Sequence, residues 1–274
     1  MGGAIAGCDE EIWGSMTDAA QVRLWTQQSC VMTTDASTIP RFGLPLGPPR
    51  LRVLSEWQST RERSRWPEPP QGEGRPVMLI PGFMAGDSSL TRMAVWLRGG
   101  GYELARSGIS WNSACMEETV VAVEARLADA VSRNGQRALL VGQSRGGAIG
   151  RALAVLRPDL VQTLVTLGSP LLDQLAVSRR VWPSIAAVGL LGSAGVPGMF
   201  SLSCMRGECC ARTLQAVSAP LPDQVRFLSL YSRSDEIVDW RACLDPAAEL
   251  IEVDTSHVGM GMALSVWTTL ADAL

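Results

Sequence analysis

Ser144 sits in Gly142-Gln143-Ser144-Arg145-Gly146, with a glycine two residues to either side and a third, Gly147, close behind. The pattern is G-x-S-x-G. It places a hydroxyl on a turn too tight for ordinary side chains, with the serine strained and projecting. A serine hydroxyl is a weak nucleophile and needs a base. The chain holds one histidine, His257, so an imidazole base can only be that residue. An imidazole in that role needs a carboxylate to fix its tautomer. Asp235 is the first carboxylate after the apolar run VRFLSLY; Glu236 and Asp239 follow closely, and Asp173 is a more distant alternative. A tetrahedral oxyanion needs donors as well. The backbone N–H of Arg145, next to the serine, and that of Phe83, in the loop Pro81-Gly82-Phe83-Met84, are the expected pair. Each such donor is typically worth ~3 kcal/mol in a transition state.

These residues need elements to hold them. PVMLI (76–80), RALLVG (137–142), LVQTLVTLG (160–168), VRFLSLY (225–231) and AELIEV (248–253) are short apolar runs. Each reads as a strand of a parallel sheet, apolar on both faces. Helical stretches lie between them. Residues 117–134 end at Asn134-Gly135, a C-terminal stop, and residues 145–156 end before Arg157-Pro158. Alternation of strand and helix predicts an α/β fold with a doubly wound, mostly parallel sheet. Ser144 then lies between a strand and a helix, the context the G-x-S-x-G pattern requires.

Residues 1–74 read as an N-terminal extension, with an amphipathic stretch over 10–28, a short helix near 51–60 and Pro/Gly-rich connectors. Residues 75–274 read as the main domain. Inside it, the alternation stops over 171–223. There VWPSIAAVGLLGSAGVPGMF is apolar and Gly-rich, and reads as a lid over a pocket or as a packed helix pair.

Hydrophobic residues make up 46% of the 274 residues and charged residues 19%, enough to build a sizeable core. A net charge of −3 argues against nucleic acid as a partner. No apolar run approaches the ~20 residues of a membrane span. The opening MGGAIAGCDEEIWG lacks the basic start of a secretory signal, so a cytoplasmic location is expected. The seven cysteines lack paired CxxC spacing, and with one histidine no metal and no cofactor are expected. They read as buried or idle thiols; the alternative is a disulfide from Cys209 or Cys210 to Cys243.

From about Arg75 onward the chain resembles the α/β-hydrolase superfamily, and looks like its small lipase and esterase members. LIPGF, VGQSRGG, VTLGSP, SRSDEIVDW and SHVGMG carry the resemblance. The order Ser144, Asp235, His257 is the order of that superfamily. Two departures stand out: Pro81-Gly82 where many relatives have His-Gly, and Gln143 and Arg145 where His and Met are common. The resemblance implies a serine hydrolase acting on carboxylic esters through an acyl-enzyme, with a small apolar ester or acyl compound as substrate. An acyltransferase, cyclase or thioesterase would use the same three residues, and a non-catalytic binding module is a third class. The side chains of Phe83 and Met84 would line an acyl pocket or pack into the core. Arg145 would meet a polar substrate group or form a surface ion pair.

Overall fold

The computed structural model describes residues 49–274, apart from residues 206 and 208. The stretch over 10–28 lies outside the described residues. Six strands form one sheet among the described residues: β1 (Pro76–Ile80), β2 (Glu103–Arg106), β3 (Ala138–Gln143), β4 (Val161–Leu167), β5 (Arg226–Tyr231) and β6 (Glu249–Glu252). Their order is β2-β1-β3-β4-β5-β6. All neighbours pair in parallel. Chain order reverses between β1 and β3, and such a switch point opens a crevice at the carboxyl ends of the strands. Ser144 follows the last residue of β3 there.

The central strands are buried because helices cover both faces. In β1, Met78 and Ile80 point to one face and Val77 and Leu79 to the other, the period-2 alternation of a strand. The first face packs on α3 (Met116–Asn134), α4 (Arg145–Leu156) and α7 (Ala211–Ser218) through Val120, Leu127, Ile149, Leu153 and Val217. The second packs on α2 (Thr91–Gly99) and α8 (Leu264–Ala273) through Met93, Leu97, Val266 and Trp267. Helix α3 ends where Gly135 takes φ 80° and its N–H closes on the Val131 carbonyl, a left-handed stop that favours glycine.

The two sheet edges depart from the sequence expectation. β2 was not expected, and β6 is not apolar on both faces: Glu249, Leu250 and Glu252 are exposed. Residues of an edge strand that face solvent can be polar, and the apolar signal fades.

Over the expected 171–223 insertion the chain forms α5 (Trp182–Ser193), the short α6 (Leu202–Met205) and α7. A further helix, α1 (Pro49–Ser59), precedes β1. It and the main sheet fall within one compact unit. Trp66, after α1, meets Trp267 edge-on at 5.1 Å, and Trp96 stacks on the same indole at 5.3 Å.

Helix α4 is anchored from behind by a buried ion pair. Arg151 Nε lies 3.0 Å from Asp245 Oδ2, with the two side chains 3% and 8% exposed. Arg151 also donates to the Ala219 carbonyl at 2.9 Å. Removing one member of a buried pair strands the other charge, at a cost of about 3–5 kcal/mol. Asp245→Ala should therefore lower the unfolding free energy by about 3 kcal/mol or more, read as a fall in the urea midpoint.

Candidate active site

Ser144 has φ 52° and ψ −123°, a conformation that L-residues adopt only when the surroundings impose it. The surroundings are backbone. A Cβ on Gly142 would sit 2.4 Å from the Gly146 carbonyl oxygen, and one on Gly146 would sit 2.1 Å from that of Ile80. A Cβ on Gly147 would fall 2.0 Å from Ser169 Oγ. The three glycines let α4 start directly against the ends of β1 and β4. The Ser144 N–H donates to the Leu167 carbonyl at 2.9 Å, which fixes the turn to the end of β4. Ser144 Oγ makes no hydrogen bond among the described residues.

His257 lies beyond the end of β6 and Asp235 beyond the end of β5. His257 Nδ1 is 2.6 Å from Asp235 Oδ2, and both residues are buried. The other oxygen, Oδ1, accepts the N–H groups of Ile237 and Val238, each at 2.8 Å. The carboxylate is thus held from the side away from the ring. The pair faces Gly168, the residue after the carbonyl that holds Ser144: a Cβ there would be 3.1 Å from Asp235 Oδ2 and 3.4 Å from His257 Nδ1. The structure therefore gathers Ser144, Asp235 and His257 at the carboxyl ends of β3, β5 and β6. Burial pulls the His257 pKa down, but the charge and hydrogen bond of Asp235, with the charge of Glu236, outweigh it and leave the pKa raised.

The other acids have structural partners. Glu236 accepts the backbone N–H of His257 at 3.2 Å. Asp239 caps the 3-10 turn Trp240–Cys243 by accepting from the Arg241 N–H. Asp173 accepts the Leu175 N–H on an exposed loop.

Two backbone donors flank the serine. Gly82 approaches Ser144 so closely that its Cβ would lie 3.3 Å from Ser144 Cβ. The N–H groups of Phe83, next in the chain, and of Arg145, the first residue of α4, engage no acceptor among the described residues. Asn112 shapes this loop: its Nδ2 donates to the Pro81 carbonyl at 2.7 Å, and its own carbonyl accepts from Met84 N–H at 3.1 Å. The Phe83 ring packs 6.0 Å from Phe200, between α5 and α6, whereas Met84 is exposed.

Several residues of the site carry no signal in the sequence. Glu56, on α1, accepts from Thr255 Oγ1 and Ser256 N–H at 2.9 Å each, and from Ser256 Oγ. It braces the loop that carries His257, although it lies outside the stretch that resembles a known family. Arg145 differs from both expectations for it. Its guanidinium donates inward to the carbonyls of Asn112 and Ala114 at 3.2 and 2.6 Å and lies over the Phe200 ring. Desolvation there lowers its pKa to about 10, against the charges of nearby cysteines. Cys209 and Cys210 lie beside Cys115 and Cys204, while Cys243 is a free buried thiol.

The sequence matches no protein-family model and no curated protein. Solved structures do match. A Bacillus licheniformis lipase in its mature form is 18% identical, with a TM-score of 0.50, covering 72% of this chain and 89% of that one. An alpha/beta hydrolase from the metagenome of Mar Chica lagoon sediments, Morocco, is 20% identical with a TM-score of 0.52, covering 74% and 91%. The 2-hydroxy-6-oxo-6-phenylhexa-2,4-dienoate hydrolase of Rhodococcus sp. strain RHA1 is 17% identical with a TM-score of 0.52, covering 74% and 90%. This chain has the α/β-hydrolase fold. Within that fold Ser144 occupies the strand-to-helix elbow, and β6 leads to His257. No helix among the described residues is long and apolar enough to cross a membrane.

A single histidine makes the site directly measurable. The imidazole resonance of His257 should titrate above 6.5 in NMR, the direction set by Asp235. Asp235→Asn should bring it down, because desolvation then acts without the opposing charge. The linkage has a definite sign. A raised folded-state pKa means the folded chain binds this proton more tightly than the unfolded chain. The stabilisation is therefore full below about pH 6.5 and is lost as pH rises through the folded-state pKa.

Proposed function

We propose that this chain is a serine carboxylester hydrolase of the lipase or esterase type, with Ser144 as nucleophile, His257 as base and Asp235 as the orienting carboxylate. One observation carries the reading: a strained, unengaged serine hydroxyl shares its sheet edge with a buried His–Asp pair at 2.6 Å. Asp235 accepts from Nδ1–H and so leaves Nε2 as the basic nitrogen. Ser144 Oγ attacks the ester carbonyl as Nε2 takes its proton. The resulting oxyanion is met by the free N–H groups of Phe83 and Arg145, near the positive end of α4. Collapse expels the alcohol, which takes the proton back from His257. Water, deprotonated by the same nitrogen, then releases the acid and restores Ser144.

The substrate reading rests on the insertion. Leu172, Leu175, Trp182, Leu190, Leu191 and Val196 are all exposed. Such a group of large apolar side chains on a surface marks a site for apolar partners, which supports an ester with an apolar acyl chain. Phe83 and Phe200 would form the inner wall against that chain.

Ser144→Ala should cut p-nitrophenyl ester hydrolysis by several orders of magnitude and abolish fluorophosphonate labelling, with far-UV circular dichroism unchanged. Full retained activity would remove Ser144 from the mechanism. In the wild type, kcat/KM should rise with pH through one ionisation above 6.5, since only the neutral imidazole accepts the serine proton and its pKa is raised. Glu56→Ala should lower kcat by the order of 10²-fold, because a displaced imidazole loses its reach to the serine. Equal kcat in the two proteins would show that the His257 loop holds itself.

A further inference from the structure

Four cysteines converge outside the Ser–His–Asp site. The Sγ atoms of Cys115, Cys204, Cys209 and Cys210 all lie within 4.8 Å of one another. The Cys115 sulfur is 3.5 Å from that of Cys209 and 3.3 Å from that of Cys210. The Cys209 sulfur is 2.7 Å from that of Cys204 and 3.5 Å from that of Cys210. None of these is a disulfide length, which is about 2.05 Å. Cys115 has two sulfur neighbours and Cys209 has three, and the 3.5 Å contacts Cys115–Cys209 and Cys209–Cys210 join the two shortest contacts, Cys204–Cys209 and Cys115–Cys210, into one four-sulfur cluster.

The backbone explains the convergence. The Gly207 N–H closes on the Cys204 carbonyl at 3.0 Å, and the Cys210 N–H closes on the Gly207 carbonyl at 3.2 Å. With Gly207 at φ 80°, these two turns curl the chain so that Cys204, Cys209 and Cys210 share one side. Cys115 arrives from elsewhere, as the residue that starts α3. Cys210 starts α7. Both are the N-terminal cap residues of their helices.

We propose that these four cysteines bind one zinc ion as a tetrathiolate. Zinc takes four thiolates tetrahedrally at about 2.3 Å, which sets sulfurs about 3.8 Å apart. The 3.3–3.5 Å contacts need to open by a few tenths of an ångström, and the Cys204–Cys209 contact by about 1 Å. The bound ion and four thiolates carry two net negative charges. The Arg145 guanidinium lies close to the cluster and meets only backbone carbonyls and the Phe200 ring; no carboxylate pairs with it among the described residues. Because this guanidinium donates to the Ala114 carbonyl, next to Cys115, an anionic zinc tetrathiolate would find a cation beside it. Cys115 and Cys210 are buried while Cys209 is exposed, so an ion has a way in.

The ion would tie the insertion to the body of the fold. Cys204, Cys209 and Cys210 belong to the insertion. Cys115 ends the loop whose Ser113 carbonyl accepts the Phe200 N–H at 2.6 Å and whose Ser113 Oγ donates to the Gly198 carbonyl at 2.8 Å. Zinc would clamp that junction beside Arg145 and the Phe83 loop.

The test is metal content, which is independent of ester hydrolysis. Full-length protein purified under reductant and reconstituted with Zn²⁺ should hold one zinc per chain by mass spectrometry. Replacement by Co²⁺ should give a thiolate-to-cobalt charge-transfer band and the visible bands of tetrahedral cobalt. The Cys204→Ser, Cys209→Ser double variant should lose the metal and both signatures, and Cys243→Ser should keep them. If the double variant fails to fold, chelated wild-type chain titrated with Zn²⁺ against a chromophoric competitor should still give an equivalence point at one. A reconstituted wild type without stoichiometric zinc would overturn the proposal. So would a native protein whose four thiols are tied in disulfides, or a Cys243→Ser variant that loses zinc as the double variant does.

Discussion

The contact on which the rest depends is backbone against backbone at the elbow. Helix α4 begins so near the ends of β1 and β4 that positions 142, 146 and 147 admit no side chain. A flexible neighbour can yield to a new methyl group, but the Ile80, Pro81 and Gly146 carbonyls cannot without dismantling the sheet. The closeness sets the geometry around it. The first N–H of α4, that of Arg145, has no acceptor among the described residues, as at the start of any helix. The closeness also presses Gly82 against Ser144, so the Phe83 loop must turn away there.

Around this rigid point the charged groups are arranged by burial. Asp235 has both oxygens occupied, one by His257 and one by two backbone N–H groups. In a low-dielectric setting such a carboxylate holds an imidazole far more firmly than one in water. Glu56 and Glu236 grip the same loop by its backbone and its serine and threonine, so the ring is positioned from three elements. Arg145 turns its charge inward, onto the Asn112 and Ala114 carbonyls and the Phe200 ring. Its backbone N–H stays free while its guanidinium is held by these carbonyls.

The central strands were legible because both faces are buried and each run is apolar throughout. Residues 76–80 coincide with β1, and the other runs begin or end within a residue or so of β3, β4 and β5. The edges were legible only poorly, because exposure removes the apolar signal: ELAR in β2 reads as nothing in particular. In the site, the glycine spacing marked Ser144 and the count of one marked His257. The choice among Asp235, Glu236 and Asp239 rested on position after a strand, and packing alone separates them. The inward turn of Arg145 was invisible, since its acceptors are carbonyls of residues 112 and 114. The cysteine cluster was equally hidden. Cys115 meets Cys209 across 94 residues, and no local spacing encodes such a meeting.

The brace from Glu56 has a kinetic side. Its bond to the Ser256 N–H spans 200 residues, nearly the whole described chain. Loop closure on that scale comes late, after strands and helices linked by shorter connections have formed. A newly synthesised chain must also wait for Thr255 and Ser256 to emerge before Glu56 of α1 finds its partners. The elbow and sheet can thus be complete while the histidine loop is still unsettled. Correct alignment of the imidazole then becomes a closing event of folding, and it reports that both ends of the described chain have arrived.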